Sequence, residues 1–240
     1  MTKRYILALF LFFILIISTY FIGTNIETIE FVKEDYTSVN SNSNYAVKEI
    51  KEEGDTFKIS GYIPQTNYKD LNEKIQNIVD NYIKEFKSDI SDIKPISGDS
   101  KFVLEFTFDS YEHENYISYV IHEYVNMGGA HPNMYMLTIS YDIKNKKVIT
   151  IEDLVKMNPK ILDILSKYTH EKLKENSIIK EVNDPDMLTS GTKPTTENFK
   201  RFAFDKNGLI IFFETYQVAP YVAGDFSVTV PYSNLGIKIN

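Results

Sequence analysis

The chain has no cysteine. That excludes disulfides, thiolate metal sites, a cysteine nucleophile and a lipid-modified cysteine at a membrane. Tryptophan is absent as well, which removes the commonest large aromatic platform for a sugar. Arginine is nearly missing, since Arg4 and Arg201 stand alone among many lysines. No glycine-rich nucleotide loop, coiled-coil heptad, internal repeat or Gly-x-Ser-x-Gly nucleophile turn occurs. Nothing therefore points to a cofactor. The formal charge is −7, and with Lys3 and Arg4 near the start, the rest of the chain is more acidic still. An acidic body argues against broad binding to nucleic acid or anionic lipid.

What is present is ordinary globular composition: 240 residues, 43% hydrophobic and 25% charged, enough to bury a sizeable core. One uninterrupted apolar run stands out. Lys3 and Arg4 precede residues 5–22, which carry no charge, and the next charge is Glu27. That length is long for a signal peptide and close to what spans a bilayer, and no Ala-x-Ala-like cleavage site follows. Residues 1–25 thus read as an uncleaved membrane anchor, with a cleaved signal as the alternative. Basic residues before the run and acidic ones after it place the body outside the cell membrane. Residues 26–44 are polar and acidic and read as a flexible linker.

The body predicts an α+β fold with antiparallel sheets and two long amphipathic helices. Short strands are expected over 45–50 and 56–63, with Pro64 ending the second. Leu71, Ile75, Ile78, Tyr82, Phe86 and Ile90 recur at helical spacing within 68–93. Strands are expected over 101–111, 116–126 and 134–142, and a shorter one at Val148-Ile149. Thr150 with Asp153 three residues later is a capping signature. Asn158-Pro159 reads as a second helix start, before a buried face of Ile161, Leu165, Tyr168 and Leu173. Residues 184–196 read as a loop. A hairpin follows, 199–204 with 209–213, the latter continuously apolar and so buried on both faces. Phe226, Val228 and Val230 alternate in a last strand.

Two punctuated stretches carry the candidate binding residues. In Gly128-Gly129-Ala130-His131-Pro132, the glycines permit backbone angles a Cβ would forbid and Pro132 restrains His131 to an extended conformation, so the bend presents His131 at a sheet rim. The run Tyr216-x-x-x-Pro220-Tyr221-x-x-Gly224 leaves a buried strand and cannot stay helical, so it should form a loop at the sheet edge. Loops on rigid sheets are where recognition concentrates, and Tyr gives large contact area at low entropy cost. The alternative is that Tyr216 and Tyr221 merely pack the loop onto the core. His113, His122 and His131 recur every nine residues, but without the spacing of a zinc site, so no metal is expected. No catalytic set is marked. A glycosidase-like carboxylate pair such as Glu123 and Glu214 stays open for a wall-cleaving enzyme, but nothing marks a specific pair, and solvated or structural acids are the default reading.

Three stretches together resemble a known extracytoplasmic family. They are Gly128–Pro132 leading into Tyr141-Asp142; Ile149-Thr150-Ile151-Glu152-Asp153-Leu154; and Phe213–Gly224 with Val228-Thr229-Val230-Pro231-Tyr232. Their order resembles the outer region of the RsiV-type, lysozyme-sensing anti-sigma factors, and it is similar to the N-terminal module of PdaC-type peptidoglycan deacetylases. The resemblance implies a PdaC-type half over 45–142 and an RsiV-type half over 143–240. An anti-sigma factor would need a sigma-binding segment before its membrane helix, and a deacetylase a catalytic domain after the module. Neither is expected here, so the resemblance implies the ligand-facing part without either output.

These readings converge on a membrane-anchored, extracytoplasmic binding module of the bacterial envelope. The ligand expected is a lysozyme-like hydrolase or peptidoglycan, read by His131, Tyr216, Pro220, Tyr221 and Gly224. The alternatives are a peptidoglycan-modifying enzyme, carboxylate-based or deacetylase-associated, and a structural partner of another membrane protein.

Overall fold

Alternation along β3 (Phe102–His113) and β4 (Tyr116–Asn126) sets the architecture. In β3, Phe102, Leu104 and Phe106 are buried on one face. In β4, residues 116–121 are buried without a break, because both faces of this strand are covered. The two strands lie at the middle of a six-stranded sheet in simple sequence order, with β1 (Tyr45–Glu53), β2 (Phe57–Thr66), β5 (Asn133–Asp142) and β6 (Lys147–Ile149). The computed structural model describes residues 45–95 and 100–237, so the expected anchor and linker lie outside the described residues. The described residues fall within one compact unit. Among the described residues, no helix is long and apolar enough to cross a membrane.

The sheet is antiparallel except at one place. β2 and β3 run parallel, from Phe57 opposite Phe102 to Gly61 opposite Phe106. A parallel pair needs a crossover, and helix α1 (Lys69–Asp89) provides it. Local patterning could not have shown this, since strand direction is a tertiary property. At Gly61, where φ is +137°, a Cβ would lie 2.1 Å from the Phe106 carbonyl oxygen, so only glycine allows the two backbones to come this close. Beyond it β2 pairs with β1 alone. Pro64, expected to end the strand, lies inside this one-sided stretch, where a missing N–H is tolerated.

α1 lays Leu71, Ile75, Val79 and Phe86 on the sheet. Val79 takes the buried place expected of Ile78, which is half-buried. The helix stops at Asp89, short of the expected Ile93, which is left exposed. An ion pair from Lys87 to Glu52 ties the helix to β1, and the Tyr141 hydroxyl donates to the Asp70 carboxylate at 2.9 Å.

The opposite face of the large sheet carries a second, three-stranded antiparallel sheet: β7 (Phe202–Asp205), β8 (Gly208–Phe213) and β9 (Phe226–Val230). Every residue of β8 is buried, as its apolar run predicts. Ile210 and Phe212 pack with Val120 and Met136 of the large sheet. Leu209, Ile211 and Phe213 join Ile161, Leu165 and Leu173 on the other side. Among the described residues no strand flanks the outer edge of β7, and hydroxyls stand in for one. The N–H groups of Phe202 and Phe204 donate to Thr138 Oγ1 at 3.1 Å and Ser118 Oγ at 3.0 Å. Ser140 Oγ donates to the Phe202 carbonyl at 3.2 Å. Ser118 and Ser140 are cross-strand neighbours, their hydroxyls 2.9 Å apart.

Helices cover the far side: α2 (Ile151–Met157), the long α3 (Ile161–Glu175), α4 (Ser177–Val182), α5 (Pro185–Gly191), α6 (Thr196–Phe199) and α7 (Tyr232–Leu235). The capping box at Thr150 forms, with the Asp153 carboxylate accepting from the Thr150 N–H at 3.2 Å. Asn158-Pro159 sits one turn ahead of the helix proper, which begins at Ile161. Within the expected loop over 184–196, Pro185–Gly191 is helix α5, and only the turn over 192–195 separates it from the start of α6. Asp184 caps α5 by accepting from the Met187 N–H at 2.9 Å, Pro185 occupies the first turn, and Leu188 is buried. Those residues are helix-start signals as well as loop punctuation. Phe199, expected at the head of a strand, closes α6, and β7 begins at Phe202.

Candidate functional site

The bend after β4 and the loop after β8 meet in space. Asn126 Oδ1 accepts from the Gly128 N–H at 3.0 Å, and Gly128 takes the left-handed conformation with φ +74°. Gly129 does not need to be glycine, because a Cβ there would meet nothing closer than 3.8 Å. The chain then reaches His131 and Pro132. The Tyr221 hydroxyl, 89 residues further on, donates to the Pro132 carbonyl at 2.9 Å. The His131 ring stacks on the Tyr221 ring, centroids 4.1 Å apart. His131 Nδ1 lies 3.0 Å from the same carbonyl, and since a carbonyl can only accept, this arrangement puts the hydrogen on Nδ1.

Tyr216 completes the aromatic cluster, its ring 5.6 Å from that of Tyr221. It sits in a tight turn in which the Gln217 N–H donates to the Glu214 carbonyl at 2.9 Å. The Gln217 side chain pins that turn to the helical layer, donating to the carbonyls of Gly191 and Asn198 at 3.2 and 3.0 Å. Gly191 permits this contact, because a Cβ there would lie 2.0 Å from the Gln217 carbonyl oxygen. The turn forces Tyr216 to φ +70° while leaving it 57% exposed. Pro220 caps a 3₁₀ turn over Tyr221–Ala223 that lifts Val222 almost wholly into solvent. Gly224, at φ +74°, closes the turn by donating to the Tyr221 carbonyl at 3.0 Å, with open space around it.

Beside this cluster lies a cleft of about 720 Å³ between the C-terminal half of α1, the open end of β5 and the start of α2. Glu123 and Glu214 both line it, so the fold brings to one place two carboxylates that sequence spacing keeps far apart. Their surroundings differ. Glu214 forms an ion pair with Arg201. Together the two side chains satisfy the open edge of β5 at Met136: Arg201 Nε donates to its carbonyl at 3.0 Å, and Glu214 Oε1 accepts from its N–H at 3.4 Å. Glu214 is thereby engaged as a structural group. Glu123 is 6% exposed, and its Oε2 finds no hydrogen-bond donor among the described residues. Burial, with the charge of Glu85 added, pushes its pKa up to about 7. Tyr82 stands opposite on α1, its own pKa raised by burial and by Glu123 and Glu214.

The three spaced histidines do not converge. His113 stacks on Tyr232, His122 pairs with Asp109 at 2.8 Å, and His131 stacks on Tyr221. Among the described residues, no group of three or more His, Asp or Glu side chains is placed to hold a metal ion. In the sequence Tyr82 reads only as part of the helical stripe, and neither it nor Gln217 nor Arg201 is marked as a site residue. Arg201 carried a signal, as the body's one arginine.

Residues 50–134 match the family described as Deacetylase PdaC, and residues 152–233 match DUF3298, described as a protein of unknown function. The peptidoglycan-N-acetylmuramic acid deacetylase PdaC of Bacillus subtilis is 26% identical over 202 residues, covering 82% of this chain and 43% of the relative. The chain therefore spans less than half the length of that relative. Two solved structures share the fold. A DUF3298 family member from Bacteroides fragilis gives a TM-score of 0.51 at 16% identity, covering 79% of this chain and 91% of its own. A DUF3298 family protein from Pseudomonas aeruginosa gives 0.55 at 14% identity, covering 81% and 94%.

Proposed function

We propose, from the premise that this chain carries a PdaC-type module followed by a DUF3298-type one, that it is an extracytoplasmic binding module of the cell envelope. It is held at the membrane by the apolar segment over residues 5–22. Its ligand is read by His131, Tyr216, Pro220 and Tyr221, with Gly224 shaping the loop. One observation carries this reading: Tyr216 occupies a left-handed backbone conformation yet leaves 57% of its surface in water. A tyrosine in that position costs the fold stability and returns little packing. A ligand that covered the ring would supply the missing contact.

The ligand favoured is a basic, wall-directed protein of the lysozyme type. Val222 and Tyr216 project as anchors from a body of acidic charge, and such a surface attracts a basic partner in a salt-dependent way. Peptidoglycan is the second reading, supported by the relative whose name states that it deacetylates N-acetylmuramic acid in that polymer. The deciding experiment is a calorimetric titration of residues 44–240, at low and high salt, with a C-type lysozyme and separately with soluble peptidoglycan fragments. Saturable heat with lysozyme that weakens in salt supports the first reading. Heat with the fragments alone moves peptidoglycan to the front. Silence from both leaves a structural role beside another membrane protein. New muropeptide products on incubation with intact wall would mark an enzyme instead.

A further inference from the structure

The row of β4 residues facing α1 is apolar at Ile117, Tyr119, Ile121 and Val125, and Glu123 interrupts it. A carboxyl buried in such a row needs a donor. Among the described residues its Oε2 has none. The walls around it are acidic: Glu85 and Asp89 come from α1 and Glu152 from α2. The two cations of the lining are already engaged, Lys200 by Glu197 and Arg201 by Glu214. Among the described residues, no ion pair reaches Glu85, Asp89, Glu123 or Glu152.

We propose that this cleft is a second binding site, distinct from the aromatic cluster, and that it takes a primary ammonium group on Glu123. The acids are dispersed along the cleft and are not gathered into a metal-holding set, which suits an extended organic cation better than a bare ion. Tyr82, Phe86 and Tyr135 line the same space, so aromatic surface is at hand for the cation and its carbon skeleton. The volume of about 720 Å³ lies in the range of small-molecule pockets and is ample for a side chain or a single sugar. An ammonium seated on Glu123 would also draw its pKa down from about 7 toward the ordinary carboxylate range. The shared chemistry has two sources in the surroundings proposed for this protein: a lysine side chain of a peptide, or an amino sugar that lacks its acetyl group.

The test is a titration of residues 44–240, followed by NMR, with two amines and their neutral counterparts. The amines are Nα-acetyl-lysine methylamide and glucosamine; the counterparts are the Nε-acetylated lysine derivative and N-acetylglucosamine. Saturable shifts are expected with at least one amine and not with its neutral counterpart, and the responding amine identifies the source. Glu123→Gln keeps the shape and removes the charge, and should weaken amine binding about thirtyfold or more. Glu152→Gln, on the exposed rim, should weaken it by a few fold. Tyr216→Gly should leave it unchanged, which separates this site from the cluster. Equal binding of neutral and charged probes, no saturation with either amine, or full binding by Glu123→Gln would each overturn the proposal.

Discussion

Replacing Tyr216 by glycine and, separately, by alanine should distinguish a recognition residue from a packing residue. The left-handed backbone at φ +70° costs a residue with a Cβ about 1–2 kcal/mol that glycine escapes. Glycine gives back about 0.4–1 kcal/mol through the greater freedom of its unfolded chain. The ring contact with Tyr221, at 5.6 Å and tilted by 39°, is worth about 0.5 kcal/mol here, the low end for an aromatic pair, because much of Tyr216 faces water. These contributions nearly cancel, so Tyr216→Gly should stay within about 1 kcal/mol of the parent, or within about 4 °C in Tm for a domain of this size. Tyr216→Ala keeps the backbone cost and loses the ring, and should be less stable than the glycine variant by about 0.5–1 kcal/mol. Both should lose ligand affinity by about tenfold or more, since a central tyrosine is a typical anchor. Thermal denaturation by circular dichroism and calorimetric titration measure the two effects separately. An alanine variant more stable than the glycine variant would refute the strain; unchanged affinity in both would remove Tyr216 from the site.

Four further substitutions follow from the same structure. Tyr221→Phe removes the hydrogen bond to the Pro132 carbonyl and should cost about 0.5–1.5 kcal/mol in urea unfolding, with the His131 ring signals shifting in NMR as the stack loosens. Gly191→Ala puts a Cβ within 2.0 Å of the Gln217 carbonyl oxygen; it should displace the Tyr216 turn and lower both stability and affinity. Ser118→Ala leaves the buried Phe204 N–H without its acceptor and should cost about 1–3 kcal/mol, read as a lower Tm with the ligand site intact. Glu123→Gln should change how stability depends on pH. The folded pKa of about 7 lies above the ordinary 4.5, so the folded protein keeps a proton that the unfolded chain has released. The parent's stability should be unaffected below about pH 4.5 and fall as pH rises toward 7, by about 3 kcal/mol in all. In the Gln variant that decline disappears, and urea midpoints at pH 5 and pH 8 would expose an equal decline in both proteins.

What the sequence could reveal followed the range of the interactions involved. The capping box at Thr150, the α1 stripe and the wholly buried β8 depend on residues a few places apart, and they were legible. The parallel pairing of β2 with β3 and the helices within 184–199 were not. The first rests on a crossover, and the second on short segments whose caps look like loop punctuation. The aromatic cluster was half legible. Glycine and proline marked both loops as bends, but nothing local says that Tyr221 reaches the carbonyl of Pro132, because that contact depends on how the second sheet crosses the first. Glu123 is the instructive residue. Read alone it is one acid among many and belongs at the surface. Read with its strand, it occupies the inward position of a row otherwise composed of Ile117, Tyr119, Ile121 and Val125. Alternation places it under α1, and burying a carboxyl there costs stability unless something arrives to pair with it. Sequence periodicity could therefore have located the buried acid, while its missing partner and the acidic walls around it required the fold.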